Sequence, residues 1–200
     1  MFGTDIPAVW VDYADRSYLI TRLIWFIGLM LDAPVNSHRT IELYLKGFLV
    51  SQGESAAKGK TAWGHDLKSL TENCARYDAD FSIPEFIRRV VYFQRYFDMV
   101  RYPSDPYLSD KDGMIWFSFD SCIAPLDEIV AFVRPRIRLS EDEWRGTTLN
   151  SVFSMSNPTR GYQRKALTDA NDQINVLICE KTFRSTVRFN PAFNFDLPGC

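Results

Sequence analysis

Apolar residues recur at three- and four-residue intervals in five separate stretches of this chain, a spacing that commits each stretch to a helix with one buried face. Tyr18, Leu19, Leu23, Phe26, Ile27 and Met30 mark the first; Ile41, Leu45, Phe48 and Leu49 the second; Leu67, Leu70 and Cys74 the third. Phe86, Ile87, Val90, Val91 and Phe97 mark the fourth, and Leu126, Ile129, Val130 and Val133 the fifth. The boundaries carry their own signals. Asp12 and Asp15 predict an N-cap and a first helix over 13–31, which Asp32-Ala33-Pro34 ends. The second helix stops near Ser51-Gln52-Gly53, and Gly53 to Gly64 reads as a mobile loop. His65-Asp66 opens the third, Ser82-Ile83-Pro84-Glu85 is a capping box for the fourth, and Ser121 is expected to cap the fifth. The fifth ends at Arg134-Pro135-Arg136-Ile137-Arg138.

Between the fourth and fifth helices, Tyr102 to Gly113 is turn chemistry, and Met114 to Phe119 fits either a short strand or a packed linker. Beyond position 138 the pattern changes. Ser140 to Glu143 should cap a short helix, a second spans about 163–175, and 176–189 fits either a helix end or a strand pair. The expected fold is therefore mainly α: an up-and-down bundle of about five helices over 1–138, with a C-terminal extension of mixed or helical structure, 139–200, packed on it.

Composition narrows the chemistry. With 46% hydrophobic and 24% charged residues in 200, the chain suits one globular domain with an appendage. Fifteen Phe, nine Tyr and five Trp stand against two histidines, His38 and His65, too few for a three-His zinc site. Cys74, Cys122, Cys179 and Cys200 show no Cys-x-x-Cys spacing and read as reduced thiols of a cytoplasmic protein. A net charge of −2 gives no global attraction to nucleic acid. The apolar run from Tyr18 to Leu31 is interrupted by Arg22 and falls short of the ~20 residues of a membrane span, and Met1 to Pro7 lacks the features of a signal peptide. No membrane partner, metal or cofactor is expected.

Four signatures occur in a fixed order: His38-Arg-Thr-Ile-Glu-Leu-Tyr-Leu-Lys-Gly-Phe-Leu49, Gly64-His-Asp-Leu-Lys-Ser-Leu70, Ile83-Pro84-Glu85, and Val100-Arg-Tyr-Pro103. Together they resemble bacterial HEPN domains over roughly residues 12–135. The resemblance implies an all-α bundle, a homodimer, and action on RNA or nucleotides in defence or toxin–antitoxin systems, with a cognate partner protein as a further possibility. Nuclease members carry an Arg followed a few residues on by a His, which together cleave RNA without a metal. Arg101 matches that Arg, but the window beyond it holds Pro106, Tyr107 and Leu108, so the general acid–base is missing. What the resemblance implies here is a non-catalytic RNA-, nucleotide- or partner-binding module. An endoribonuclease that uses Arg101 with Tyr107 or His65 as proton shuttle is the first alternative, and a dimeric scaffold without ligand the second.

Candidate ligand-binding residues are Arg39, Glu42, Lys46, Arg101 and Tyr102; candidate catalytic residues are Arg101, Tyr107 and His65. Glu42 has Lys46 four residues on and Arg39 three residues back, both helix-stabilising pairs in the bland reading. His38, His65-Asp66 and downstream aspartates nominally recreate an HD-type metal site, but at a helix start Asp66 more simply meets the helix dipole. Arg88, Arg95, Arg134, Arg136 and Arg138, with Tyr92, Tyr96 and Tyr102 as stacking rings, could track phosphates if they converged. Lys58-Gly-Lys-Thr61 is not a phosphate loop, because Glu54 stands where its first glycine belongs.

Overall fold

The computed structural model describes residues 5–29, 32–55, 63–101, 118–154, 161–174 and 177. These form a mainly helical bundle: α1 (Pro7–Phe26), α2 (Ala33–Ser51), α3 (Leu67–Ala75), α4 (Pro84–Arg101), α5 (Phe119–Val133), α6 (Glu141–Gly146), α7 (Thr148–Ser154) and α8 (Gly161–Thr168). No strand occurs among the described residues, and no helix there is long and apolar enough to cross a membrane.

α2 is the hub, packed against α1, α3, α4 and α5. Gly47 permits its close approach to α1: a β-carbon there would lie 3.1 Å from that of Trp10. Around α2 gather Tyr18, Leu45, Phe48, Leu70, Phe86, Phe93, Leu126 and Ile129, all buried. Phe81, on the 3-10 turn Ala79–Ser82, meets Phe48, Phe86 and Phe132 with ring centroids 4.6–5.5 Å apart. The rings thus serve as core volume. Cys74 and Cys122 are free, buried thiols, and burial pushes Cys122 up to about 12.

Most helix ends obey local rules. Asp66 accepts from the Lys68 and Ser69 amides to cap α3, and Ser140 with Glu143 boxes α6. Three starts differ from expectation. α4 opens at Pro84 after Ile83, whose carbonyl accepts from the Ile87 amide, and Ser82 ends the preceding 3-10 turn, so Ser82 to Glu85 is not its cap. α1 begins at Pro7, whose fixed φ suits a first helical position, so Asp12 lies inside the helix and does not cap it. α5 is capped by Ser118, with Ser121 as the reciprocal third residue of the box.

Asp12 and Asp15 instead reach across to the far end of the chain. Asp12 accepts from the amide (3.0 Å) and hydroxyl (2.7 Å) of Thr148, and Asp15 from the Leu149 amide (3.0 Å), so α1 supplies the acceptors at the start of α7. Asp15, fully buried, also holds Arg134 (2.9 and 3.1 Å) and the Tyr44 hydroxyl (2.6 Å), while Arg134 donates to the Leu177 carbonyl and to Thr147. A parallel set joins Arg22 to Asp127 and to the carbonyls of Ala166 and Asp169, with Tyr18 and Asn171 completing it. Trp144, Leu149, Val152, Leu167 and Leu177 belong to the same apolar core as the bundle. The 176–189 strand-or-helix reading lies, Leu177 apart, outside the described residues, as do most of Met114–Phe119 and of the Gly53–Gly64 loop.

Candidate functional site

Glu42 is the centre of a polar cluster on the outer face of α2. Its position four residues after His38 and four before Lys46 aligns the three along one helix face. Lys46 donates to Glu42 Oε1, and His65, just before α3, brings its Nδ1 to 3.1 Å from both carboxylate oxygens. Burial would raise the Glu42 carboxyl, but the hydrogen bonds and charges of Lys46 and His65 outweigh it and hold the group below the usual carboxylate range. An ionised Glu42 can only accept, so the His65 Nδ1 is the donor. The His65 side chain beyond that contact is 74% exposed.

His38 sits behind this pair, stacked on Phe97 with ring centroids 3.9 Å apart. The Gln94 side chain fixes its tautomer. Gln94 Oε1 accepts from the Leu67 amide at 3.0 Å and lies 3.1 Å from His38 Nε2, while its amide nitrogen donates to both Asp98 oxygens at 3.2 Å. Because Oε1 accepts, His38 Nε2 must carry the proton. Burial, opposed by Gln94 and Glu42, pushes the His38 imidazole below its ordinary value, so it is held neutral. Gln94 thereby ties the start of α3 to α2 and α4 and sets where His65 stands.

Val35, Asn36, His38, Arg39, Glu42, Leu43, His65 and Phe97 line a groove of about 620 Å³ over this cluster. Arg39 is exposed there and makes no ion pair among the described residues; the expected Arg39–Glu42 pair does not form, because Lys46 and His65 occupy the carboxylate. The groove therefore brings together the exposed Arg39 guanidinium, the His65 imidazole and the Phe97 ring.

Of the sequence candidates, Arg39, Glu42, Lys46 and His65 come together. Arg101 is the last residue of α4, four positions after Phe97; its side chain, Tyr102 and Tyr107 lie outside what the structure describes. His38, weighed in the sequence only as part of a metal site, joins this site together with Gln94, Phe97 and Asp98. The four-residue step from His38 to Glu42 was the signal available for the first of them.

Other readings are corrected. Arg134 is buried on Asp15, and Arg136 pairs with Asp78 (3.3 Å) and Asp80 (2.9 Å) while covering Phe132, so neither can track phosphates. Arg88 pairs with Glu85 at 3.1 Å, and Tyr92 is buried against Phe93 and Tyr96. Asp66 is engaged in capping, and no metal-holding group of three His, Cys, Asp or Glu occurs among the described residues. At Glu42 a cation would meet the Lys46 ammonium.

The held-neutral His38 makes stability depend on pH. Its folded-state proton affinity is lowered, so its contribution is complete above the ordinary imidazole value of about 6.5 and is lost as pH falls through the depressed folded value. Urea midpoints of the wild type should decline relative to His38→Gln between pH 8 and pH 5, the comparison cancelling every other titrating group. A constant difference would contradict the assignment.

Compared with known families, curated proteins and solved structures, the chain matches no family model, no curated protein and no solved structure.

Proposed function

We propose that the α2–α3–α4 groove binds a phosphate-bearing ligand of the nucleotide or RNA class, and that the protein is a binding module of a HEPN-like bacterial defence or toxin–antitoxin system. The observation that carries the ligand class is Arg39, exposed and without an ion pair among the described residues, beside His65 on a groove lined by the Phe97 ring. A guanidinium suits phosphate oxygens, and an aromatic ring suits a base. The choice of system rests on the sequence resemblance.

Calorimetric titration with AMP and with a short single-stranded RNA tests this. Arg39→Ala should weaken binding about tenfold, roughly 1.4 kcal/mol, as for loss of one charge-assisted contact. Absence of binding by either probe at millimolar concentration, or an unchanged affinity in Arg39→Ala, would reject the reading.

A second reading, a metal-independent endoribonuclease, is favoured by one feature. A carboxylate that holds an exposed histidine through Nδ1 at the edge of a groove is the arrangement that orients a general base. RNA cleavage that persists in EDTA and disappears in His65→Ala would select it over simple binding.

A further inference from the structure

Near the C-terminal end of α1 a cavity of about 260 Å³ opens between α1, α5 and α8, and it shares no lining residue with the α2–α3–α4 groove. Three aromatic rings line it: Trp25 and Phe26 from α1, and Phe119 at the first position of α5. Trp25 and Phe119 meet edge to face, with centroids 6.4 Å apart and planes at 69°, so they stand as two walls at a wide angle. Phe26, 46% exposed, carries the apolar lining out to the surface.

The charged groups around these rings decide what can enter. Arg22 lines the cavity with each of its nitrogens engaged: Nε donates to the Ala166 carbonyl, one terminal nitrogen to Asp127 and the other to the Asp169 carbonyl. A guanidinium held by its edge has its flat face left for contact, and its carbon lies 5.9 Å over the centroid of the Phe119 ring. An anionic ligand would have to compete with Asp127 for this group. A cationic one would meet Arg22 and also Lys165, whose ammonium lies 5.4 Å from the Phe26 centroid and 2.9 Å from the Asp169 carboxylate. An uncharged π system meets neither obstacle.

We infer that this cavity binds a small, uncharged, planar aromatic molecule of one or two fused rings, packed between Trp25 and Phe119. The volume sets the size, since it falls just under the roughly 300–1,000 Å³ of pockets that take drug-sized ligands. The ring walls and the Arg22 face set the class, because both favour a π-electron partner over an aliphatic one. The lining is also fixed before a ligand arrives. Ala170 lines the cavity with a φ of 49°, a left-handed conformation that alanine rarely adopts. The residues on either side of it are tied to α1: Asp169 through its carbonyl to Arg22, and Asn171 through its side chain to the Tyr18 hydroxyl at 2.9 Å. The bend is therefore held in place, and binding need not order the chain.

Calorimetric titration of the full chain with indole at neutral pH tests the inference, beside indole-3-carboxylate and tryptamine, which carry the same ring with an anionic or a cationic group. Indole should bind with a dissociation constant on the order of 100 µM, and both charged relatives at least about tenfold more weakly. Phe119→Leu, which keeps apolar volume and removes the ring, should weaken indole about threefold to tenfold, and Phe119→Ala should weaken it further. Phe119 is a partly exposed residue at the start of its helix, so both variants should fold, which thermal melts establish. No binding up to ~2 mM indole would overturn the inference, as would charged relatives that bind as tightly as indole. An affinity unchanged in both Phe119 variants would place the indole elsewhere and overturn it too. Arg39→Ala should leave indole binding unchanged, so this inference and the reading of the α2–α3–α4 groove fail independently.

Discussion

Replacing Asp15 with alanine is expected to remove about 3–5 kcal/mol of stability, the cost of leaving a buried charge without its partner. Asp15 is wholly buried and accepts from Arg134, Tyr44 and the Leu149 amide. Its loss strands the Arg134 guanidinium, one hydroxyl and one helix-start amide at once. Because Arg134 also reaches the Leu177 carbonyl and Thr147, the loss should be felt first in residues 139–177. Urea unfolding gives the magnitude, and limited proteolysis gives the place: cleavage beyond Arg138 should precede cleavage in α2. Adding Arg134→Met to Asp15→Ala should recover part of the stability, since an apolar side chain needs no counter-charge. A single-variant loss under about 1 kcal/mol would show that the pair is dispensable.

Phe81→Ala should cost a similar amount, about 3–5 kcal/mol, by a different route. Phe81 is fully buried where rings from α2, α4 and α5 converge. Removing it opens a cavity that rigid neighbours cannot collapse into, and no polar group is orphaned. The expected signature is a lowered urea midpoint with proteolysis spread over the whole chain and not confined to its C-terminal third. Stability within about 1 kcal/mol of wild type would mean that the four-ring cluster repacks.

These two residues also show what the sequence made legible. Helical periodicity and caps are local, so α2 could be read from Ile41-x-x-x-Leu45, α4 from the spacing of Phe86, Val90 and Phe97, and α6 from Ser140 to Glu143. Asp12 and Asp15 misled because their partners lie 136, 134 and 119 residues away, and local rules assigned them to the nearest helix start. The arginines at 134 and 136 misled in the same way: a run of like charge looks like a surface patch until Asp15, Asp78 and Asp80 are brought to it. At the groove, Glu42, Lys46 and His65 were each visible as residues of interest. Their convergence was not, because Gln94 Oε1, which sets the start of α3 against α2, is a tertiary contact with no local signature.

The long reach of Asp12 and Asp15 has a consequence for synthesis. α1 emerges from the ribosome early with carboxylates whose acceptor sites are destined for the interior, but Arg134 and the Thr148–Leu149 amides arrive only after more than a hundred further residues. Until then α1 cannot bury the Asp15 carboxylate without an unpaired charge. The contacts that close over Asp15 can therefore form only once Arg134 and the start of α7 have been made.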